Sequence, residues 1–166
     1  MIKYASYAVT FAEVPDEVCL TIQVTNCPCR CDGCHSAYLQ QDIGADLEKD
    51  LPSLLEQYKG RVTCVCFMGS GNDLEALARC VGIVHGFGLR VAIYTGNAFN
   101  AMLHAWLQYV TFLYGLPEYV KTGVYVKELG GLDSEKTNQQ MWKLEGEFTY
   151  QDITSRFWKK RIEETL

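Results

Sequence analysis

The sequence is short of positive charge: 15 Lys and Arg stand against 20 Asp and Glu, a formal net charge of -5 with neutral histidines. The cations gather into no stripe or tail. A nucleic-acid footprint needs such a patch, so direct DNA or RNA recognition is not expected. Also missing is any apolar run near the roughly 18 to 20 residues that span a bilayer, so no membrane partner is expected. The opening MIKYASYAVTFAEVPDEV has no basic region followed by an apolar signal core, and the expectation is a soluble, cytoplasmic protein. Without linkers, repeats or low-complexity segments, residues 1–166 read as one domain, in the usual size range of about 100 to 200 residues.

Apolar material is abundant. The hydrophobic set makes up 48% of the chain and includes 10 Tyr, 7 Phe and 3 Trp, enough for a substantial core, which excludes disorder as a general description. Eight cysteines would suggest disulfides in a small secreted protein, but no secretion signal accompanies them. Four crowd into Cys27-Pro-Cys-Arg-Cys-Asp-Gly-Cys34, and such crowding points to a metal. Cys64, Cys66 and Cys80 lie in apolar surroundings and read as small buried hydrophobes.

The order of elements follows from periodicity. Cys19–Thr25 is β-branched and partly alternating, a strand that ends two residues before the cysteine cluster and so leaves the cluster on a loop. Residues 46–58 place Leu47, Leu51, Leu54, Leu55 and Tyr58 on one helical stripe, with Pro52 marking a late start or a kink and Gly60 the end. Val62–Met68 is an almost continuous apolar run, as in a parallel strand covered on both faces, with Cys64 and Cys66 sharing one side. A glycine-rich turn, Gly69–Asp73, leads into a helix with Leu74, Leu77, Ala78, Val81 and Val84 on one side and Asn72 or Asp73 as its cap. Leu89–Thr95 is the next strand, followed by a glycine turn and a helix carrying Met102, Leu103 and Trp106. Tyr109–Tyr114 and Tyr119–Val126 read as further strands, 130–138 as an extended loop and Met141–Leu144 as a short late strand. The charged segment after Asp152 reads as a solvated terminus. Repeated strand-to-helix crossovers predict an α/β fold with a parallel sheet, either doubly wound or a full or partial barrel, with functional loops beyond the carboxyl ends of the strands.

Chemistry concentrates in the cysteine loop. Cys27, Cys31 and Cys34 have the spacing C-x3-C-x2-C. Three thiolates can hold three irons of a four-iron, four-sulfur cube and leave the fourth iron open to a small ligand. The same segment, using Cys29 or His35 as well, could hold zinc in a closed structural site. Spacing alone leaves these two readings open, together with a loop that binds no metal.

Several segments in one order resemble the activating proteins of anaerobic (class III) ribonucleoside-triphosphate reductase, a branch of the radical S-adenosylmethionine superfamily. Thr25–Ser36 looks like the cluster loop with its Cys-x-Gly-Cys-His ending. Phe67–Asp73 falls where the family has a glycine-glycine-acid motif, and Tyr94-Thr-Gly96 falls at its next strand end. Lys121–Tyr125, Glu128–Asp133 and Thr137-Asn-Gln139 resemble its C-terminal signature. The resemblance implies a partial (β/α) barrel that binds one [4Fe-4S] cluster through Cys27, Cys31 and Cys34, and one S-adenosyl-L-methionine. It also implies reduction by a flavodoxin- or ferredoxin-type donor, cleavage of the cofactor to methionine and a 5'-deoxyadenosyl radical, and hydrogen abstraction from a glycine of the reductase partner. Gly69, Ser70, Gly71, Asn72, Asp73, Tyr94, Thr95 and Tyr38 are the expected cofactor-binding residues; Phe67 is an alternative to Tyr94 beside the adenine.

Two departures bear on these assignments. The turn reads Gly-Ser-Gly-Asn-Asp, so Asp73, Asn72 or the backbone alone could meet the cofactor's amino group. Cys29 lies inside the ligand spacing, and as a fourth ligand it would block the open iron; it is expected to be an exposed thiol or a neighbour of the ligands, sensitive to oxidation. Two other classes of function compete: a zinc-stabilised docking protein, and a radical enzyme of the same superfamily acting on another peptide or a small molecule.

Overall fold

The computed structural model describes residues 1–109 and 114–158. The chain runs β1 (Lys3–Thr10), β2 (Cys19–Val24), β3 (Ala45–Asp46), α1 (Leu47–Gln57), β4 (Cys64–Met68), α2 (Leu74–Gly86), β5 (Arg90–Tyr94), α3 (Phe99–Tyr109), β6 (Tyr119–Thr122), β7 (Gln140–Leu144) and β8 (Tyr150–Asp152). Among the described residues the strands form one mixed sheet in the order β3-β1-β2-β4-β5-β6-β7-β8. Its centre, β2-β4-β5-β6, is parallel; the strands flanking it pair antiparallel.

Side chains alternate across each strand, and the alternation sorts them into two cores. Leu20, Ile22 and Val24 of β2, Val65 and Phe67 of β4, Val91 and Ile93 of β5 and Val120 of β6 join the buried residues of all three helices in the larger cluster. Helices on a single face argue against a doubly wound sheet, which carries them on both. The opposite face turns Cys19, Cys64, Cys66, Ala92 and Tyr119 toward Val14, Leu132, Met141 and Ile153. That face is therefore closed by the β1–β2 loop and by chain from the C-terminal third.

Local chemistry explains where the helices begin. Asp46 caps α1 by accepting a hydrogen bond from the Lys49 amide at 3.2 Å. Pro52 sits well inside α1 and marks no late start. It lies on the exposed side, where water can serve the Glu48 carbonyl that it leaves without an amide partner. Asp73, not Asn72, caps α2, accepting from the Ala76 amide at 2.9 Å.

Other differences lie at the ends of elements. The N-terminal segment, for which the sequence suggested no element, forms β1, antiparallel to β2. The strand expected over Tyr109–Tyr114 fails at its first residue, because Tyr109 ends α3; residues 110–113 lie outside the described residues. The strand expected over Tyr119–Val126 stops at Thr122. Of the terminal segment read as solvated, residues 159–166 also lie outside the described residues. No helix among the described residues is long and apolar enough to cross a membrane.

The end of the sheet away from the strand carboxyl termini is closed by ions and hydrogen bonds. Glu17, buried, accepts from Arg90 at 2.8 Å, Tyr119 at 2.9 Å and Thr63 at 2.5 Å. Nearby, His85 Nε2 lies 3.2 Å from Glu118, and Nδ1 lies 3.0 Å from the Tyr114 carbonyl. The Glu118 hydrogen bond raises the His85 pKa against the opposing effect of burial. A raised folded-state pKa stabilises the protonated form, so this contribution is fully present below about 6.5 and fades as pH rises through the folded value. The stability difference between wild type and H85Q in urea unfolding should therefore shrink as pH is raised from about 6 to about 9.

Candidate functional site

Beyond the carboxyl ends of the parallel strands lies a cavity of about 430 Å³. Strand register builds its floor. Gln23 of β2 pairs with Met68 of β4, Met68 with Tyr94 of β5, and Tyr94 with Lys121 of β6. In-register parallel neighbours point the same way, and all four side chains line the cavity.

The cysteine loop forms one wall. Its base is tied by Asn26 N–H to Gln41 O at 3.2 Å, Cys27 N–H to Leu39 O at 3.0 Å and the Thr25 hydroxyl to Ile43 O at 2.8 Å. Asn26, Arg30 and Gly33 have left-handed backbone, which curls the segment between these anchors. Cys27, Cys29, Cys31 and Cys34 all line the cavity, half-buried and free. Cys29 is thus not the exposed thiol of one expectation. It is pressed against Gly96, whose amide hydrogen-bonds to it, and a Cβ at Gly96 would come within 2.3 Å of its sulfur. Burial, and then the neighbouring Cys27, push the Cys29 thiol pKa up.

Lys121 faces this wall and donates to the Gly123 carbonyl at 2.8 Å. Burial pulls its ammonium down to about 8, while Cys31, Cys29, Cys27 and Cys34, when ionised, pull the other way. One partly buried cation therefore feels all four thiols. The sequence reading had Lys121 only inside a signature; its place in the cavity comes from its pairing with Tyr94.

The rest of that signature braces the third side. Asn138 donates to the Val124 carbonyl at 3.0 Å and Gln139 to the Gly123 carbonyl at 3.4 Å, while Gly123 N–H reaches Asn97 O at 3.1 Å. Tyr125, Asp133 and the buried Gln139 reach the lining.

The expected cofactor residues divide. Gly69, Tyr94 and Thr95 line the cavity. Gly69 has φ 106°, and a Cβ there would stand 3.1 Å from the Val24 carbonyl oxygen, so the turn after β4 requires glycine. Ser70 is buried behind it, its hydroxyl 3.2 Å from that of Thr95. Gly71, Asn72 and Asp73 are not part of the lining. Asp73 spends one carboxylate oxygen on the α2 cap, and the other lies 2.8 Å from the Met1 amino group. Tyr38 is exposed on a short 3-10 turn and also lies off the lining. Phe67 faces the helices and is separated from the cavity by its own strand.

Among the described residues, no three Cys, His, Asp or Glu side chains stand together as a ready-made metal site. The donor set nevertheless suits an iron-sulfur cluster in kind: soft sulfur donors on one loop, a cavity beside them and a partly buried cation opposite. Loading would require the loop to turn its thiols toward one point. Compared with protein-family models, with curated proteins and with solved structures, the chain matches none.

The other four cysteines are buried. Contact with Cys19, and then burial, raise the Cys64 pKa; burial raises Cys66, and raises Cys80 to about 12. Alkylation of native, metal-free protein, mapped by mass spectrometry, should label Cys27, Cys29, Cys31 and Cys34 and spare Cys19, Cys64, Cys66 and Cys80. Asp73→Ala should lower stability by roughly 1 kcal/mol, read as a fall in melting temperature, through the lost α2 cap.

Proposed function

We propose that the protein is a radical S-adenosylmethionine activating enzyme that generates a glycyl radical on anaerobic ribonucleoside-triphosphate reductase. The observation that supports this best is convergence. The segments that resemble the family are scattered from Cys27 to Gln139, yet all contribute to one cavity: the cysteine loop, Gly69, Tyr94 to Gly96, Lys121 to Tyr125, Asp133 and Gln139. A structural zinc loop would give the distant segments no reason to meet there. One-sided helices and a parallel centre suit a partial (β/α) barrel, opened here by antiparallel flanks.

In this reading Cys27, Cys31 and Cys34 hold a [4Fe-4S] cluster, and S-adenosyl-L-methionine binds beside it. Held by these thiolates, such a cluster would supply the one-electron reduction of the cofactor. The protein's own residues orient and shield. Lys121 places a positive charge beside the thiolates and lowers the cost of gathering anionic sulfur in a half-buried site. Gly69 and Gly96 let the strand ends pack closely on the Val24 carbonyl and on Cys29, where a side chain would intrude. Tyr94, held by its hydroxyl to the Glu13 carbonyl at 2.5 Å, gives the floor a fixed aromatic face. The electron comes from a flavodoxin- or ferredoxin-type donor.

Anaerobic reconstitution should give about four irons and about four sulfides per chain. Ala at Cys27, Cys31 or Cys34 should abolish the cluster, whereas C29A should keep most of the iron. Bound zinc with no brown chromophore would decide for the docking protein. With S-adenosylmethionine and reductant, the reductase should acquire a glycine-centred doublet in electron paramagnetic resonance, lost when its target glycine becomes Ala. Cofactor cleavage with modification of another peptide or a small molecule would favour the other radical enzyme.

A further inference from the structure

Among the described residues, two side-chain oxygens at the cavity are left without hydrogen-bond partners. Glu13 Oε2 and Gln23 Oε1 are both shut off from solvent and unbonded, and both residues line the cavity. An unpaired buried acceptor is costly, a carboxylate oxygen most of all, so such groups point to a missing donor. The contrast with Glu17, four residues along the same loop, is direct: its buried carboxylate is served by Arg90, Tyr119 and Thr63. The loop is equally fixed at Glu13, because Tyr94 donates to its carbonyl. Glu13 is thus held in place by its backbone while its side chain is left unserved.

On the proposed function, we infer that Glu13 and Gln23 receive main-chain N–H groups of the glycine-bearing polypeptide segment that enters the cavity. Position argues for the polypeptide over the cofactor. A cofactor anchored on the cluster must lie against the cysteine loop and Lys121. The charge of Glu13 is felt by Tyr94 of the floor and by Cys66 in the adjoining core. Gln23 stands in the floor row, beside Met68. With the cofactor held at the thiol wall, Lys121 and Tyr94, the acceptors of Glu13 and Gln23 remain for the substrate. Chemistry agrees: an extended peptide offers a donor and an acceptor at each unit, matching the amide of Gln23, and its donors match the acceptor-only carboxylate of Glu13. Glycine, having no side chain, lets its backbone approach that floor. The two residues position and select the segment and take no part in the radical chemistry.

The test uses anaerobically reconstituted wild type, E13Q and Q23L. The probes are a synthetic peptide of the reductase's glycine segment, the same peptide N-methylated at the glycine and its neighbours, and S-adenosylhomocysteine. Each variant should weaken peptide binding about tenfold or more in calorimetry while leaving S-adenosylhomocysteine affinity within about twofold. N-methylation should weaken binding to wild type and add little further loss in the variants. Melting temperatures should not fall, because no internal bond is removed; a lowered one with unchanged peptide affinity would make the residues merely structural and overturn the inference. Loss of S-adenosylhomocysteine affinity in place of peptide affinity would assign them to the cofactor and overturn it too. If wild type binds iron and S-adenosylhomocysteine while the variants bind the peptide unchanged, this assignment alone falls. If wild type binds neither iron nor S-adenosylhomocysteine, the proposed function falls and the assignment with it.

Discussion

The registered pairing of four parallel strands is the constraint on which the site depends. Because β2, β4, β5 and β6 run in register, a single shift of one residue would exchange faces throughout the affected strand. Phe67 would turn into the cavity and Met68 toward the helices. The apolar face fixes the register: Leu20, Ile22, Val65, Phe67, Val91, Ile93 and Val120 must all meet the helices at once. Each large buried side chain contributes about 1.5 to 3 kcal/mol, so a slipped strand would forfeit several such terms together. The row Gln23, Met68, Tyr94 and Lys121 is positioned as a consequence of packing on the other side of the sheet.

That separation lets the inner face hold groups that no core would select. Lys121 is partly buried, and among the described residues the Gly123 carbonyl is its one hydrogen-bonded acceptor. Burial alone disfavours its charge, and thiolates across the cavity favour it. The cation and the sulfur loop are therefore coupled. Any process that gathers negative charge on the loop strengthens the protonated amine, and the protonated amine lowers the cost of gathering it. Cys64, Cys66 and Cys80 lie outside this exchange, since the Cys19 contact and then burial raise the Cys64 pKa, and burial raises those of Cys66 and Cys80.

Legibility in the sequence followed the strength of local period. β2, β4, β5 and α2 are continuous apolar or helical patterns with clear punctuation, and they stand close to where the residues predicted them. β1 escaped notice because most of its length is exposed on a strand whose inward and outward residues differ little in polarity. β3 and β8 have two and three residues, too few to show any period. Tyr109 has strand propensity but ends α3, where packing of Met102 and Trp106 fixes the helix. In the site, C-x3-C-x2-C is visible because metal ligands impose spacing. Asp73 presented two credible uses, cap and ligand contact, and only the three-dimensional placement of its carboxylate separates them. Glu13 had no local signal at all, since an acid in a loop before Pro15 and Asp16 resembles solvated surface.

On the inference drawn above, the unpaired acceptors also bear on how the site would select its occupant. Roofing of a cavity by a partner is cheap only if the partner is recognised as it enters. Apolar contact gives poor discrimination, about 1 to 3 kcal/mol for a methylene. Desolvated acceptors discriminate more sharply, because a segment that fails to present N–H groups leaves them unpaired in an even drier place. Glu13 and Gln23 in this sense trade stability of the free protein for rejection of the wrong occupant. The same entering chain excludes water from the floor and from the thiol wall above it. Selection of the segment and shielding of the site thus become one event, driven by backbone hydrogen bonds that form only when the correct chain has filled the cavity.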